Sequence, residues 1–177
     1  MVFYRLLNEQ GTVPGGMFSD VADSSWYAQA VNYLASLEII NGYPDGTFRP
    51  DAPMTRAEFA TIASRFVELE STDSNIFSDV PSGHWAVAYI NSAFAKGWIN
   101  GYPDGTFKPE NNISRAEVVT LVNAMLSRKI DEDALALVVN PYPDLNSAHW
   151  AYAGIIEASI QHKYEWDENE NEIWTDW

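Results

Sequence analysis

The 177-residue sequence predicts a mainly α protein of tandem helix–loop–helix repeats, with short β excursions and a C-terminal β-hairpin. Three observations carry that expectation. Separated motifs recur at one constant spacing; apolar residues on both sides of a recurring loop follow a helical period; and aromatic residues near the C-terminus flank a polar turn.

The recurrence is direct. Phe18-Ser19-Asp20-Val21 returns as Phe77-Ser78-Asp79-Val80, and Trp26 returns as Trp85. Gly42-Tyr43-Pro44-Asp45-Gly46-Thr47-Phe48-Arg49-Pro50 returns as Gly101-Tyr102-Pro103-Asp104-Gly105-Thr106-Phe107-Lys108-Pro109, and Thr55-Arg56-Ala57-Glu58 as Ser114-Arg115-Ala116-Glu117. Every pair is displaced by 59 residues, so no gap separates the two copies.

Within each copy the first helix is expected to begin near Trp26 or Trp85 and to run about a dozen residues. Trp26, Ala30, Val31 and Leu34 then share one face, as do Trp85, Tyr89, Ile90, Ala93 and Phe94. Gly97 suits a C-terminal stop, where the first copy has Glu38. The Pro-Asp-Gly-Thr segment is a turn: proline presets φ, aspartate bonds nearby backbone, and glycine accepts a positive φ. Tyr43 and Phe48 around it suggest a brief two-stranded excursion. The second helix opens with a capping box, Thr55 with Glu58 and Ser114 with Glu117, in which each side chain satisfies the other's backbone N–H. Met54 and Phe59 sit at hydrophobic-staple positions, as do Ile113 and Val118; Ile62, Phe66 and Leu69 extend the stripe in one copy, and Leu121, Val122, Met125 and Leu126 in the other.

The flanks resemble incomplete copies. Tyr142-Pro143-Asp144-Leu145 followed by Trp150 repeats the opening motif, with a helix expected through Ile160, but neither the loop nor the Arg-Ala-Glu motif follows. The chain instead finishes with Tyr164-Glu165-Trp166, a turn over residues 167–171, and Ile173-Trp174-Thr175, the predicted hairpin. Residues 2–8 resemble the close of a second helix. The expected organisation is residues 1–17 as the tail of a preceding or completing repeat, full repeats over 18–76 and 77–139, and a partial repeat over 140–177. Linkers are expected at residues 11–16, 71–75 and 131–140.

Composition narrows the function. With 25 Asp+Glu against 10 Lys+Arg the formal charge is −15, which opposes a nucleic-acid face or an anionic membrane surface. Cysteine is absent, so disulfides, zinc-thiolate sites and cysteine nucleophiles are excluded. The apolar run at residues 134–139 is far short of the ~20 residues a spanning helix needs. The N-terminus lacks the basic-then-apolar pattern of a signal peptide, so an exported chain would be a mature form or an excised fragment. The only histidines are His84, His149 and His162; two precede a repeated tryptophan, which reads as helix-start architecture and not as a base beside a nucleophile. Residues 167–172 space oxygen atoms like the start of a calcium loop but lack its glycine and its closing glutamate, leaving a solvated turn. The expectation is a non-catalytic chain without cofactor or metal.

The two full copies resemble S-layer homology modules, on the motifs FSDV with a following tryptophan, GYPDGTF(R/K)P and (T/S)RAE, twice over and in order. The resemblance covers about residues 18–130, and more weakly 140–160. It implies modules assembled in a pseudo-threefold helical bundle at the bacterial cell envelope. It further implies non-covalent anchoring of an extracellular protein to an anionic secondary cell-wall polysaccharide, often pyruvylated, held in grooves between modules. Implied partners are that polysaccharide, a fused surface protein and surface-layer neighbours. The different-class alternative is a protein–protein assembly module that holds a neighbouring subunit without binding glycan.

The candidate ligand-binding residues are Arg56, Arg115, Gly42, Tyr43, Asp45, Gly101, Tyr102, Asp104, Trp26, Trp85 and Trp150. A cation in the first turn of a helix opposes the dipole at a cost of up to ~1 kcal/mol, so Arg56 and Arg115 call for an anion; a docked carboxylate and a salt bridge to a nearby acid both satisfy that demand. The loop residues Gly42, Asp45, Gly101 and Asp104 are turn-formers first, and their glycine backbone also admits close approach of a sugar. The three tryptophans suit core or inter-repeat packing, or stacking on a sugar face. Because the chain and an acidic polymer repel at long range, binding is expected to depend on local arginines and hydrogen bonds and to persist at moderate salt.

Overall fold

The computed structural model describes residues 2–7, 11, 13–67, 76–129, 131–168 and 172–176. The expected linker at 71–75 and Leu69 lie outside them. The chain forms two compact units, Met1–Ala93 with Gly101–Asn112, and Phe94–Asn100 with Ile113–Trp177. This division runs out of phase with the sequence repeats: the second copy's loop folds with the first copy, and the second copy's last helix folds with the terminal partial copy.

In the first unit, α1 (Val2–Leu6) packs on α2 (Ala28–Ser36), and Tyr4 meets Tyr33 edge-on at 5.8 Å. Phe3 contacts Phe59 and Phe66 of α3 (Arg56–Phe66) at ring separations of 5.5 and 5.2 Å. The core is completed by Phe18, Val21, Val31, Leu34, Ala60, Ala63, Phe77, Val80 and Phe107, with Ile90 of α4 (Val87–Ala95). Both capping boxes form: Glu58 N–H donates to Thr55 Oγ1 at 3.2 Å while Thr55 N–H donates to Glu58 Oε2 at 2.7 Å, and Ser114 and Glu117 repeat the exchange on α5 (Arg115–Met125).

Two expectations are corrected. The first helices start at Ala28 and Val87, after their tryptophans, so Trp26 and Trp85 do not continue the buried helical face. The Pro-Asp-Gly-Thr loops carry no strand pair; Tyr43 N–H reaches Thr47 O at 2.8 Å and Gly46 N–H reaches Tyr43 O at 3.0 Å, which closes a tight turn instead. At the helix ends, Gly97 takes a positive φ of 71° and Glu38 adopts the same left-handed conformation at 58°, so the first copy stops without a glycine.

In the second unit α5 and the short helix α6 (Glu132–Leu135) both pack on α7 (Tyr152–Glu157). The α6 turn lies in the stretch expected to be a plain linker, because Asp131 caps it by accepting from Ala134 N–H at 2.9 Å. The α7 helix stops at Glu157, short of the expected Ile160. The predicted hairpin is present as β1 (Lys163–Trp166) antiparallel to β2 (Glu172–Asp176).

A buried ionic cluster fastens the hairpin. Arg128 Nη2 lies 2.7 Å from Glu157 Oε1, 2.8 Å from Glu172 Oε1 and 2.5 Å from His162 Nε2. His162 stacks on Trp174 at 3.9 Å, and Trp174 N–H donates to Asp131 at 2.8 Å. Burial pushes the Glu157 carboxyl up, whereas bonds from Arg128 and His162 pull Glu172 below its ordinary range against the opposing effect of burial. Arg128→Ala would leave two buried carboxylates without their cation, a change that typically costs about 3–5 kcal/mol. Urea denaturation should show a loss of that size, with amide exchange accelerating first in β1 and β2.

Candidate functional site

The two recurring loops are built identically from the opening motif. Asp20 accepts from Phe48 N–H and Arg49 N–H, both at 2.7 Å, and Asp79 accepts from Phe107 N–H and Lys108 N–H at the same distances. The Phe48 N–H bond lowers the Asp20 carboxyl below its usual range. Ser19 and Ser78 donate through N–H to Gly46 O and Gly105 O, at 3.0 and 3.1 Å. The aspartate of the FSDV motif is thus the loop's backbone clamp. Sequence reading used the motif as a repeat marker and missed this role, although the constant distance from Asp20 and Asp79 to their loops was visible.

Glycine at 42 and 101 is a packing requirement. A Cβ would lie 2.3 Å from the ring of Phe18 at Gly42, and at the same distance from Phe77 at Gly101. Gly46 and Gly105 instead supply the positive φ of 78° that the turn needs.

At the loop tip Asp45 accepts from Thr47 Oγ1 at 2.6 Å, Thr47 N–H at 3.1 Å and Arg49 Nη2 at 2.8 Å. The Thr47 hydroxyl, followed by Arg49, lowers its carboxyl to about 2. Asp104 makes the matching bonds to Thr106, which lower it as well. Arg49 and Lys108, both in the left-handed region, lie 4.0 Å from the ring centres of Tyr43 and Tyr102. Tyr43 donates its hydroxyl to Glu58 at 2.7 Å, so the cap of α3 also holds the loop tyrosine.

The two helix-start arginines part company here. Arg56 is only 7% exposed. Its Nε donates to Phe107 O at 2.8 Å, and its guanidinium lies 4.9 Å from the Tyr102 ring centre and 4.5 Å from that of Phe107. The first two N–H groups of α3 are spent on the same loop, Arg56 N–H to Asn111 O at 2.9 Å and Ala57 N–H to Pro109 O at 3.0 Å. Loop carbonyls and aromatic faces therefore supply the electron density that the helix start demands. The expectation of an anion held by Arg56 is revised: this arginine joins α3 to the second loop. Arg115 is exposed and forms no ion pair among the described residues.

The tryptophans are also placed differently from the packing expectation. Trp26, Trp85 and Trp150 are 78%, 57% and 65% exposed. Trp85 stacks on His84 at 5.8 Å, and Trp150 contacts His149 at 5.7 Å. Those histidines accept a backbone N–H two residues on, Ala86 to His84 Nδ1 at 3.1 Å and Ala151 to His149 Nδ1 at 3.2 Å. They act as helix starts.

Glu157, His162 and Glu172 bring two carboxylate oxygens and an imidazole nitrogen within 4.8 Å of one another, a spacing that a metal could bridge. The Arg128 guanidinium stands among those atoms and supplies the positive charge. Glu172, the last residue of the calcium-like run, is directed into this cluster.

Two measurements follow from the loops and the joint. Arg56→Ala should destabilise the chain by roughly 2–3 kcal/mol in thermal or urea unfolding, and Arg56→Lys should restore little, because a lysine lacks the planar fork. Asp45 has its folded pKa below its ordinary 3.8, so the stabilisation it provides is complete above that value and disappears as pH falls through about 2. The Thr47 amide resonance should titrate there in the intact chain and should not titrate in Asp45→Asn.

Comparison with known proteins agrees with the repeat motifs. The S-layer homology domain matches at residues 18–60 and 76–119. The chain is 40% identical over 182 residues to a cellulosome-anchoring protein of Acetivibrio thermocellus, an alignment covering 98% of this chain and 40% of that protein. It is 39% identical over 178 residues to cell surface glycoprotein 1 of the same organism, covering 93% of this chain and 8% of the relative. An amylopullulanase of Thermoanaerobacterium thermosulfurigenes is 35% identical over 132 residues, 70% of this chain and 7% of the enzyme. The chain thus spans well under half of each of these relatives. Two tandem matches, together with alignment of nearly all of this chain to part of the anchoring protein, establish that the chain belongs to the S-layer homology domain family.

Proposed function

We propose that this chain is a non-catalytic module that anchors a surface protein non-covalently to the bacterial cell wall by binding an anionic, pyruvylated polysaccharide. The observation that carries the reading is the repeated exposure of Trp26, Trp85 and Trp150. Three indoles held open at the same place in each copy cost hydrophobic free energy and offer flat apolar faces to sugar rings. Arg115, exposed at the start of α5, adds a guanidinium fork and a helix dipole suited to a carboxylate. Tyr43, Asp45, Tyr102 and Asp104 belong to rigid loops that would border the polymer, while Gly42 and Gly101 keep those loops closed on Phe18 and Phe77.

The names of the relatives support the location. One is a cellulosome-anchoring protein and another a cell surface glycoprotein. The amylopullulanase shows that such a stretch can be a minor part of an enzyme. Among the described residues no helix is long and apolar enough to cross a membrane.

The test is cosedimentation with purified wall sacculi before and after removal of the secondary polymer. Binding should disappear on stripping, fall at least tenfold in the Trp26→Ala, Trp85→Ala, Trp150→Ala triple variant, weaken in Arg115→Ala, and persist from low to physiological salt. Binding that survives stripping would support the protein–protein assembly reading instead.

A further inference from the structure

Glu157 at the end of α7, His162 beyond it and Glu172 of β2 converge inside the second unit, and none of the three side chains is more than 2% exposed. Arg128 fills the space between them incompletely. Its Nη2 lies 2.7 Å from Glu157 Oε1, 2.8 Å from Glu172 Oε1 and 2.5 Å from His162 Nε2, but that nitrogen has only two protons to give. Among the described residues no hydrogen bond reaches Glu157 Oε1, a buried carboxylate oxygen aimed into the cluster. A buried acceptor left in that condition is costly, and a cation without donor directions would relieve it.

The spacing of the three atoms suits a small divalent ion. His162 Nε2 is 3.1 Å from Glu172 Oε1 and 3.6 Å from Glu157 Oε1, and all three atoms lie within 4.8 Å of one another. Ligands held at zinc's bond lengths in a tetrahedron stand roughly 3.3–3.6 Å apart. Supports for the ligands are in place as well. His162 Nδ1 lies 2.8 Å from Ile160 O, so the ring can keep its proton there and turn Nε2 inward. Its plane is fixed by the stack on Trp174 at 3.9 Å, and Lys129 N–H donates to the second oxygen of Glu172 at 3.1 Å. Arg128 has a way out: its side chain is 24% exposed, and its guanidinium already lies 4.9 Å from the ring centre of half-exposed Tyr164.

We propose that Glu157, His162 and Glu172 form a zinc-type divalent metal site, with water as the fourth ligand and Arg128 displaced onto Tyr164 when the ion enters. One imidazole and two carboxylates favour zinc over calcium or magnesium, which want about six or more oxygen ligands. The ion would bridge α7 to β2 and so fasten the terminal hairpin more firmly than the guanidinium does. The proposal does not depend on the polymer reading, and its readouts involve no sacculi.

The intact chain, stripped with EDTA and dialysed, is the material for the test. At ~100 µM zinc chloride its melting temperature should rise by about 3 °C or more, while the same concentration of calcium chloride should leave it in place. Equilibrium dialysis followed by atomic absorption should give one tightly held zinc per chain. Glu157→Gln keeps the volume and removes an oxygen that receives no hydrogen bond, so it should fold and hold zinc roughly tenfold or more weakly. Arg128→Ala, destabilised in EDTA, should bind zinc more tightly than the parent and regain stability with it. A parent chain that neither retains zinc nor shifts its melting, equal effects of zinc and calcium, Glu157→Gln binding zinc like the parent, or Arg128→Ala unmoved by zinc would overturn the proposal.

Discussion

A positive charge at the beginning of an α-helix must find electron density from outside that helix, and much of this structure answers that constraint. At Arg56 the answer is a carbonyl and two aromatic rings of the following repeat's loop, reinforced by two backbone hydrogen bonds. A joint of this type explains why the compact units do not coincide with the sequence repeats. The second loop folds with the first copy because α3 is fastened to it, leaving α5 to pack with the terminal partial copy. The repeat as written in the sequence is therefore a unit of duplication, while the first compact unit joins a helix of one copy to the loop of the next.

That arrangement separates residues the repeat makes equivalent. Arg56 and Arg115 occupy matching positions on matching caps, yet one is buried within a joint and the other is open to solvent. The terminal copy carries neither the Pro-Asp-Gly-Thr loop nor a further Arg-Ala-Glu helix, and its unit is closed by a hairpin whose buried Glu172 meets Arg128. A buried ion cluster of this sort contributes less to net stability than an apolar core would, but it is costly to break and so fixes where the hairpin sits.

Local chemistry was readable from the residues. The caps, the turn with its aspartate and glycine, the helical stripes of α3, and the terminal hairpin all follow from spacing and side-chain type. What could not be read was whatever depended on distant partners. The burial of Arg56 rests on carbonyls some fifty residues away, and the tethering of each loop rests on Asp20 or Asp79 reaching back from an earlier motif. Trp26 fits the spacing of a helical face, but α2 begins two residues beyond it and leaves the indole outside the buried stripe. The members of the Arg128–Glu157–His162–Glu172 cluster belong to none of the recurring motifs, and only the fold brings them together.

The account comes down to a division of labour in which open indoles and Arg115 take an acidic sugar while Arg56 stays inside the joint. Titration of the isotopically labelled chain with a pyruvylated amino sugar, against its unmodified parent, tests this most directly. The account predicts that the indole N–H resonances of Trp26, Trp85 and Trp150 and the Arg115 Nε–H shift with the pyruvylated sugar alone, leaving Arg56 Nε–H in place. Shifts at Arg56 with none at the tryptophans, or equal responses to both sugars, would contradict it.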